Sequence, residues 1–145
     1  MSTVAQLLQE KGRAVWSIAP EATVYAALTL MAEKNVGALM VLEGSRVVGI
    51  ISERDYARKV ILKGKFSKDT LVREIMTDKV YFVRPEQTIE ECMALMTAEH
   101  IRHLPVLADD QLVGVISIGD VVKVVISDKE FLIKQLEHYI TGRRA

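Results

Sequence analysis

Shifted by 65 residues, the 145-residue sequence lies on itself without a gap. The stretch VWSIAPEATVYAALTLMAEKNVGALMVLEGSRVVGIISERDYARKVI, beginning at Val15, aligns with VYFVRPEQTIEECMALMTAEHIRHLPVLADDQLVGVISIGDVVKVVI, beginning at Val80; 16 of the 47 paired positions are identical. Pro20 matches Pro85, Thr23 matches Thr88, and Met31 matches Met96. Leu39, Val41 and Leu42 match Leu104, Val106 and Leu107, and Gly49, Ser52 and Asp55 match Gly114, Ser117 and Asp120. Self-similarity of this kind means one supersecondary unit used twice. Two copies with complementary apolar faces pair naturally about a pseudo-twofold axis.

Each unit reads as β-α-β-β-α, giving an α/β chain of the α+β type with small sheets. A short extended segment (Val15–Ile18, Val80–Val83) ends near a proline. Thr23 and Thr88 then stand as helix N-caps, and Thr88 with Glu91 completes a capping box. The helix that follows places Val24, Ala27, Leu28, Met31 and Ala32 on one face, repeated by Ile89, Cys92, Met93 and Met96. Two short apolar strands joined by a polar turn come next, ALMVL–EGSR–VVGII and HLPVL–ADDQ–LVGVI. A second helix opens at Ser52 or Ser117. The expected organisation is a first repeat over 8–64, a linker with a short helix over 65–79, a second repeat over 80–127, and an amphipathic C-terminal helix over 128–145 stopped by Gly142. The final Gly142–Arg144 reads as a frayed tail.

Charge and composition then exclude several classes. Basic and acidic residues balance at 19 each, which disfavours long-range attraction to nucleic acid or an acidic membrane. Any anion site must come from local geometry. Cys92 is the sole cysteine, so there is no internal disulfide and no cysteine-based zinc site; it reads as a small core residue. There is no run of 18 apolar residues to span a membrane, and the N-terminal segment lacks the apolar stretch of a signal peptide. A cytoplasmic protein is expected. The histidines lack the spacing of a metal site. No GxSxG elbow supports a hydrolase triad, and no GxGxxG or GxxxxGK[ST] loop supports a dinucleotide fold or NTPase.

Two stretches stand out. At Ser52–Asp55, serine followed three residues later by an acid is a capping pattern. The same place could also receive an anion or hold a ribose through the carboxylate. Gly49 and Gly114 mark either a close backbone approach or a bulge. HIRHLPV, at 100–106, puts Arg102 and His103 before a strand that otherwise reads as core. They are either a solvated strand start or a cationic phosphate contact. The matching place in the first copy, Gly37 and Ala38, carries no charge.

The tandem unit, the RHLPV strand and the G-h-h-S-x-x-D pattern near the end of each copy together resemble the cystathionine-β-synthase (CBS) domain pair, over residues 8–127. The resemblance implies two repeats packed through their sheets, which bind adenosyl ligands such as AMP, ADP, ATP, NAD or S-adenosylmethionine between them. It implies regulation rather than catalysis. One cleft would join Ile50, Ser52, Arg54 and Asp55 with Lys79, Val80, Tyr81, Arg102, His103 and Pro105. There Asp55 would hold the ribose, while Ser52, Arg54, Arg102 and His103 face phosphate. Val80 and Pro105 would pack on adenine. The other cleft would join Val115, Ser117, Gly119 and Asp120 with Val15, Trp16, Val36, Gly37, Ala38 and Met40. Met40 replaces the family's usual proline, and any phosphate there must find Lys11, Arg13 or Lys123. Weaker binding, or a different ligand, is expected at this second site, where the room left at Gly37 and Ala38 could suit an extended dinucleotide.

Three functions follow as expectations. The first is a nucleotide-sensing module in signal transduction, acting through a protein target or a homodimer built on helix faces such as Val121–Ile126 and Phe131–Ile140. A small enzyme acting on a nucleotide or phosphate ester is the alternative, with His103 or Ser52 as its chemistry. A structural or nucleic-acid-binding protein is the third; neutral charge and few aromatics count against nucleic acid.

Overall fold

The computed structural model describes residues 2–141, so the expected stop at Gly142 and the tail behind it lie outside the described residues. The elements run α1 (Val4–Lys11), β1 (Ser17–Ile18), α2 (Val24–Lys34), β2 (Ala38–Glu43), β3 (Arg46–Ser52), α3 (Glu53–Lys59), a 3-10 turn (Ile61–Lys63), α4 (Val72–Ile75), α5 (Ile89–Glu99), β4 (His103–Ala108), β5 (Gln111–Ser117) and α6 (Ile118–Thr141). This is the α+β class expected, with the same local chemistry used in each half. The Thr23 hydroxyl accepts the Ala26 N–H at 3.1 Å to start α2. Thr88 and Glu91 form the full capping box at α5. Both helices end on a left-handed residue, Asn35 (φ 54°) and His100 (φ 55°), which releases the chain into the next strand.

The hairpins share one register irregularity. β2 pairs antiparallel with β3 and slips between Val41 and Leu42, opposite Gly49. β4 pairs with β5 and slips between Val106 and Leu107, opposite Gly114. Both glycines are also crowded. A Cβ on Gly49 would stand 2.7 Å from Met76 Sδ and 3.0 Å from the Thr77 carbonyl oxygen, and one on Gly114 would stand 2.7 Å from Leu8 Cδ2. Bulge and close approach therefore coincide, and the approaching group is this chain's own backbone and side chains.

The first strand of each repeat is shorter than expected. β1 covers two residues and lies parallel to β2. In the second repeat only Val83 pairs, in one bridge to Val106. The cause is a single atom. Met40 N–H donates to the Trp16 carbonyl at 3.1 Å, but its counterpart Pro105 has no N–H to give. The second copy keeps only the bonds from Val83 N–H to Pro105 O (3.1 Å) and from Leu107 N–H to Val83 O (2.9 Å).

Each repeat's core is completed by a helix from outside it, downstream of the first repeat and far upstream of the second. Val72 and Ile75 of α4 join Val24, Ala27, Met31, Leu39, Val41 and Ile51. Val4, Leu7 and Leu8 of α1 join Val83, Ile89, Cys92, Met96, Leu104 and Ile116. The chain start is thus built into the second repeat, not the first. Backbone bonds fix both docks: Val4 N–H to Gln87 O and Ala5 N–H to Pro85 O at 2.9 Å, matched by Val72 N–H to Ala22 O (2.8 Å) and Arg73 N–H to Pro20 O (3.0 Å). Burial in this core pushes the Cys92 thiol up to about 11, leaving an inert packing group.

The boundary expected at 127/128 falls inside α6, which runs unbroken over 24 residues. In the first repeat Gly64, at φ +69°, ends the 3-10 turn. Its counterpart is Lys129, and nothing there breaks the helix. No described helix is long and apolar enough to cross a membrane.

Candidate functional site

Where the β3–α3 junction of the first repeat faces the 79–81 segment and the start of β4, a cleft of about 650 Å³ opens. It brings together nine of the ten residues expected there: Ile50, Ser52, Arg54, Asp55, Lys79, Val80, Tyr81, Arg102 and His103. Pro105 is not among the lining; it is buried in β4. The apolar wall comes instead from Ile50, Val80 and Ile101.

The carboxylate at the centre is held by both of its oxygens. Asp55 Oδ2 accepts the Ser52 N–H at 2.9 Å and the Ser52 hydroxyl at 3.1 Å. In return, Asp55 N–H donates to Ser52 Oγ at 3.3 Å. That is a capping box, so the cap reading of this stretch is structurally real. Asp55 Oδ1 has longer partners: the Thr77 hydroxyl at 3.3 Å and the Lys59 ammonium at 3.3 Å. Lys59 in turn donates to the Ile75 carbonyl at 2.9 Å. Glu53 N–H is also taken, by the Gly37 carbonyl at 3.1 Å. The N–H groups of Ser52, Glu53 and Asp55 are therefore committed, and an anion in this cleft has to be met mainly by side chains.

Those side chains are plentiful. Arg54, Arg58, Lys59, Lys79 and Arg102 line the cleft against three carboxylates, Glu53, Asp55 and Glu99. Arg58 and Lys59 were missed in the sequence, although each stands four residues after a residue already singled out, Arg54 or Asp55. Thr77 and Glu99 gave no such signal. Tyr81 is oriented by its hydroxyl, which donates to Glu99 Oε2 at 2.8 Å, and Lys79 lies over its ring at 5.5 Å.

His103 is biased towards its neutral form. Burial pushes its pKa below the ordinary imidazole value, helped by the charges of Lys11 and Arg102 and opposed by Asp120. The unfolded chain binds a proton at this ring more readily than the folded one does. The resulting stability is complete above the unfolded value of about 6.5 and falls away as pH drops through that window towards the folded pKa. Melting temperature is expected to decline below about pH 6.5 in the wild type and to decline less in His103→Asn, measured by calorimetry across pH.

The second set of residues assembles only in part. Lys11 Nζ lies 2.6 Å from Asp120 Oδ2 and 2.7 Å from the Val115 carbonyl oxygen. Asp120 also accepts the Ser117 N–H at 2.8 Å, and its own N–H donates to Ser117 Oγ at 3.2 Å. Burial alone would raise the Asp120 pKa, but the Lys11 and Ser117 hydrogen bonds and the Lys11 charge hold it below the usual carboxylate range. Lys11, expected as a phosphate contact, is thus engaged with Asp120 instead. Gly37 lines the first cleft, and Lys123 borders a separate hollow of about 270 Å³ between α1 and α6. Met40 is buried in β2, while Val15, Val36 and Ala38 are half-buried and Arg13 and Gly119 exposed. Trp16 carries an unexpected cover, the Lys34 ammonium 4.4 Å above its ring. Lys34 is the sequence counterpart of Glu99, so each repeat steers its aromatic with the residue one position before its helix cap.

A family model of the CBS domain matches residues 4–62 and 72–127. The CBS domain-containing protein CBSX3, mitochondrial, of Arabidopsis thaliana is 40% identical over 151 aligned residues, covering 97% of this chain and 73% of that protein. A solved structure of a protein with CBS domains from Burkholderia ambifaria MC40-6 has a TM-score of 0.85 and 53% identity, covering 88% of this chain and 96% of that one. The CBS domain pair of protein MJ0100, in complex with 5′-methylthioadenosine and S-adenosyl-L-methionine, shares the fold at TM-score 0.77 and 19% identity, over 88% of this chain and 98% of that one. The two matched segments open on α1 and α4, the helices that complete the two cores. The chain is a tandem pair of CBS repeats and belongs to the CBS-domain family.

Proposed function

We propose that this protein is a regulatory module that binds an adenine nucleotide in the cleft between Asp55 and Arg102 and passes its occupancy on through a homodimer or a protein target. The carrying observation is the surplus of basic over acidic side chains around one carboxylate whose outer oxygen has only long contacts. A ribose diol fits Oδ1 by replacing Lys59 and Thr77, while Oδ2 keeps the helix capped. Arg54 and Arg58 on one wall and Arg102 on the other suit phosphate oxygens. His103 adds a neutral donor. Ile50, Val80 and Ile101 receive the adenine.

MJ0100's ligands are adenosyl compounds without phosphate. The basic surplus here favours AMP, ADP, ATP or NAD over the cationic sulfonium of S-adenosylmethionine. The cleft volume lies within the range of small-molecule sites. The enzyme reading is disfavoured because Ser52 directs its hydroxyl at Asp55, which leaves no serine–histidine dyad for nucleophilic work.

A thermal-shift series with AMP, ADP, ATP, NAD and S-adenosylmethionine tests this. A nucleotide at about 100 times its dissociation constant adds roughly 2.7 kcal/mol of stability. Upward shifts with phosphate-bearing ligands, exceeding that with S-adenosylmethionine, are expected; no shift with any of the five removes the proposal.

A further inference from the structure

α2 and α5 hold the same place in the two repeats but end on opposite charges. The last residue of α2 is Lys34, and that of α5 is its counterpart 65 positions on, Glu99. A cation suits a helix C-terminus, where the free carbonyls present the negative end of the dipole; a carboxylate there is repelled. No basic residue in the last turn of α5 offsets the repulsion. Glu99 also forms no ion pair among the described residues. The one hydrogen bond of its side chain comes from the Tyr81 hydroxyl, which donates to Oε2 at 2.8 Å. Oε1 is left without a hydrogen-bond partner, on a side chain that lines the cleft. Proteins break such local rules mainly where a site needs the residue.

We propose that Glu99 reads the base of the bound nucleotide, its Oε1 accepting a hydrogen bond from the 6-amino group of adenine. This inference rests on the nucleotide reading above and adds how the base is told apart. Position supports it. Glu99 stands two residues before Ile101, and Tyr81 directly follows Val80, the two side chains offered to the adenine along with Ile50. Chemistry supports it as well. A carboxylate repels phosphate, so it can receive only an uncharged, donor-bearing part of the ligand. It is acceptor-only when ionised, and the 6-amino group is the donor that adenine carries. Tyr81 is the positioning residue: by taking Oε2 it turns Oε1 to the ligand. The corresponding pair in the first repeat, Lys34 lying 4.4 Å above the Trp16 ring, offers a donor in place of an acceptor. The selection is therefore built into one cleft only.

The test compares AMP with purine riboside 5′-monophosphate, which lacks only the 6-amino group, by calorimetric titration of the full chain. Four forms are titrated: the wild type, Glu99→Met, Glu99→Gln and Tyr81→Phe. The wild type is expected to bind AMP about tenfold more tightly or better, the size of one hydrogen bond to a charged group. Glu99→Met removes the acceptor, and the preference should shrink to within about threefold. Glu99→Gln should do the same, because the Tyr81 hydroxyl keeps the amide oxygen and the NH2 group stands where Oε1 was. Tyr81→Phe leaves the acceptor but frees it, so its preference should fall between these limits. The ratio of the two affinities is insensitive to a general loosening of the cleft. A wild type without preference, a preference that survives Glu99→Met, or an equal loss for both ligands in the Glu99 variants would overturn the proposal. Binding of neither ligand by the wild type would remove the nucleotide reading itself, and this inference with it.

Discussion

Replacing Leu8 with alanine is expected to destabilise the protein by about 3–5 kcal/mol, and to loosen the second repeat before the first. Leu8 stands near the start of the chain, where termini are ordinarily tolerant of change. Here it is 1% exposed and wedged over Gly114, whose missing Cβ leaves the room for it. Its neighbours Val4 and Leu7 lie in the same core as Val83, Ile89 and Leu104. Removing the side chain opens a cavity that β5 cannot close by collapse, because the β4–β5 hairpin is pinned through its bulge. Denaturant melts give the size of the loss. Hydrogen exchange gives its location, with β4 and β5 amides losing protection before those of β2 and β3. Ile75→Ala, in the α4 helix that completes the first repeat's core, should reverse that order. A loss below about 1 kcal/mol for Leu8→Ala, within the ordinary run of single substitutions, would mean that α1 is a dispensable flap and not part of the second repeat's core.

The 65-residue register made the two hairpins, the capped helices and the paired glycines legible, because each depends on residues close in sequence. It did not reveal α1. Thr3 and Gln6 form a capping box there, and Val4, Leu7 and Leu8 have helical spacing, so the helix itself could have been found. Its partner could not, since Leu8 meets residues more than 70 positions later, and the helices that complete the two cores repeat at 68 residues rather than 65. The Lys11–Asp120 pair spans 109 residues and was out of reach for the same reason. Lys59 was within reach, one helical turn from Asp55. Pro105 was half-legible: its missing N–H foretells a weakened first strand, but nothing local to the sequence says that its ring is shut away from the cleft.

Asp55→Ala is expected to weaken an adenine nucleotide by about ten- to a hundred-fold, since a hydrogen bond to a charged group contributes roughly 1.5–3 kcal/mol. It should also cost about 1 kcal/mol of stability through the lost cap. These effects belong to different oxygens. Oδ2 closes the box on Ser52, and Oδ1 is the atom proposed to hold ribose. Asp55→Asn separates them. Its amide oxygen can take the place of Oδ2 and keep the cap, while its NH2 group cannot accept a bond where Oδ1 stood. The asparagine variant should therefore melt within about 0.5 kcal/mol of the wild type yet bind nucleotide nearly as poorly as the alanine variant, as measured by calorimetric titration. A cap with no second role would behave differently: alanine would lower stability, asparagine would restore it, and nucleotide affinity would stay the same in all three proteins. The geometry favours the first pattern because the cap already has its full set of bonds at Oδ2, which leaves the Lys59 and Thr77 contacts at Oδ1 free to be exchanged for a ligand.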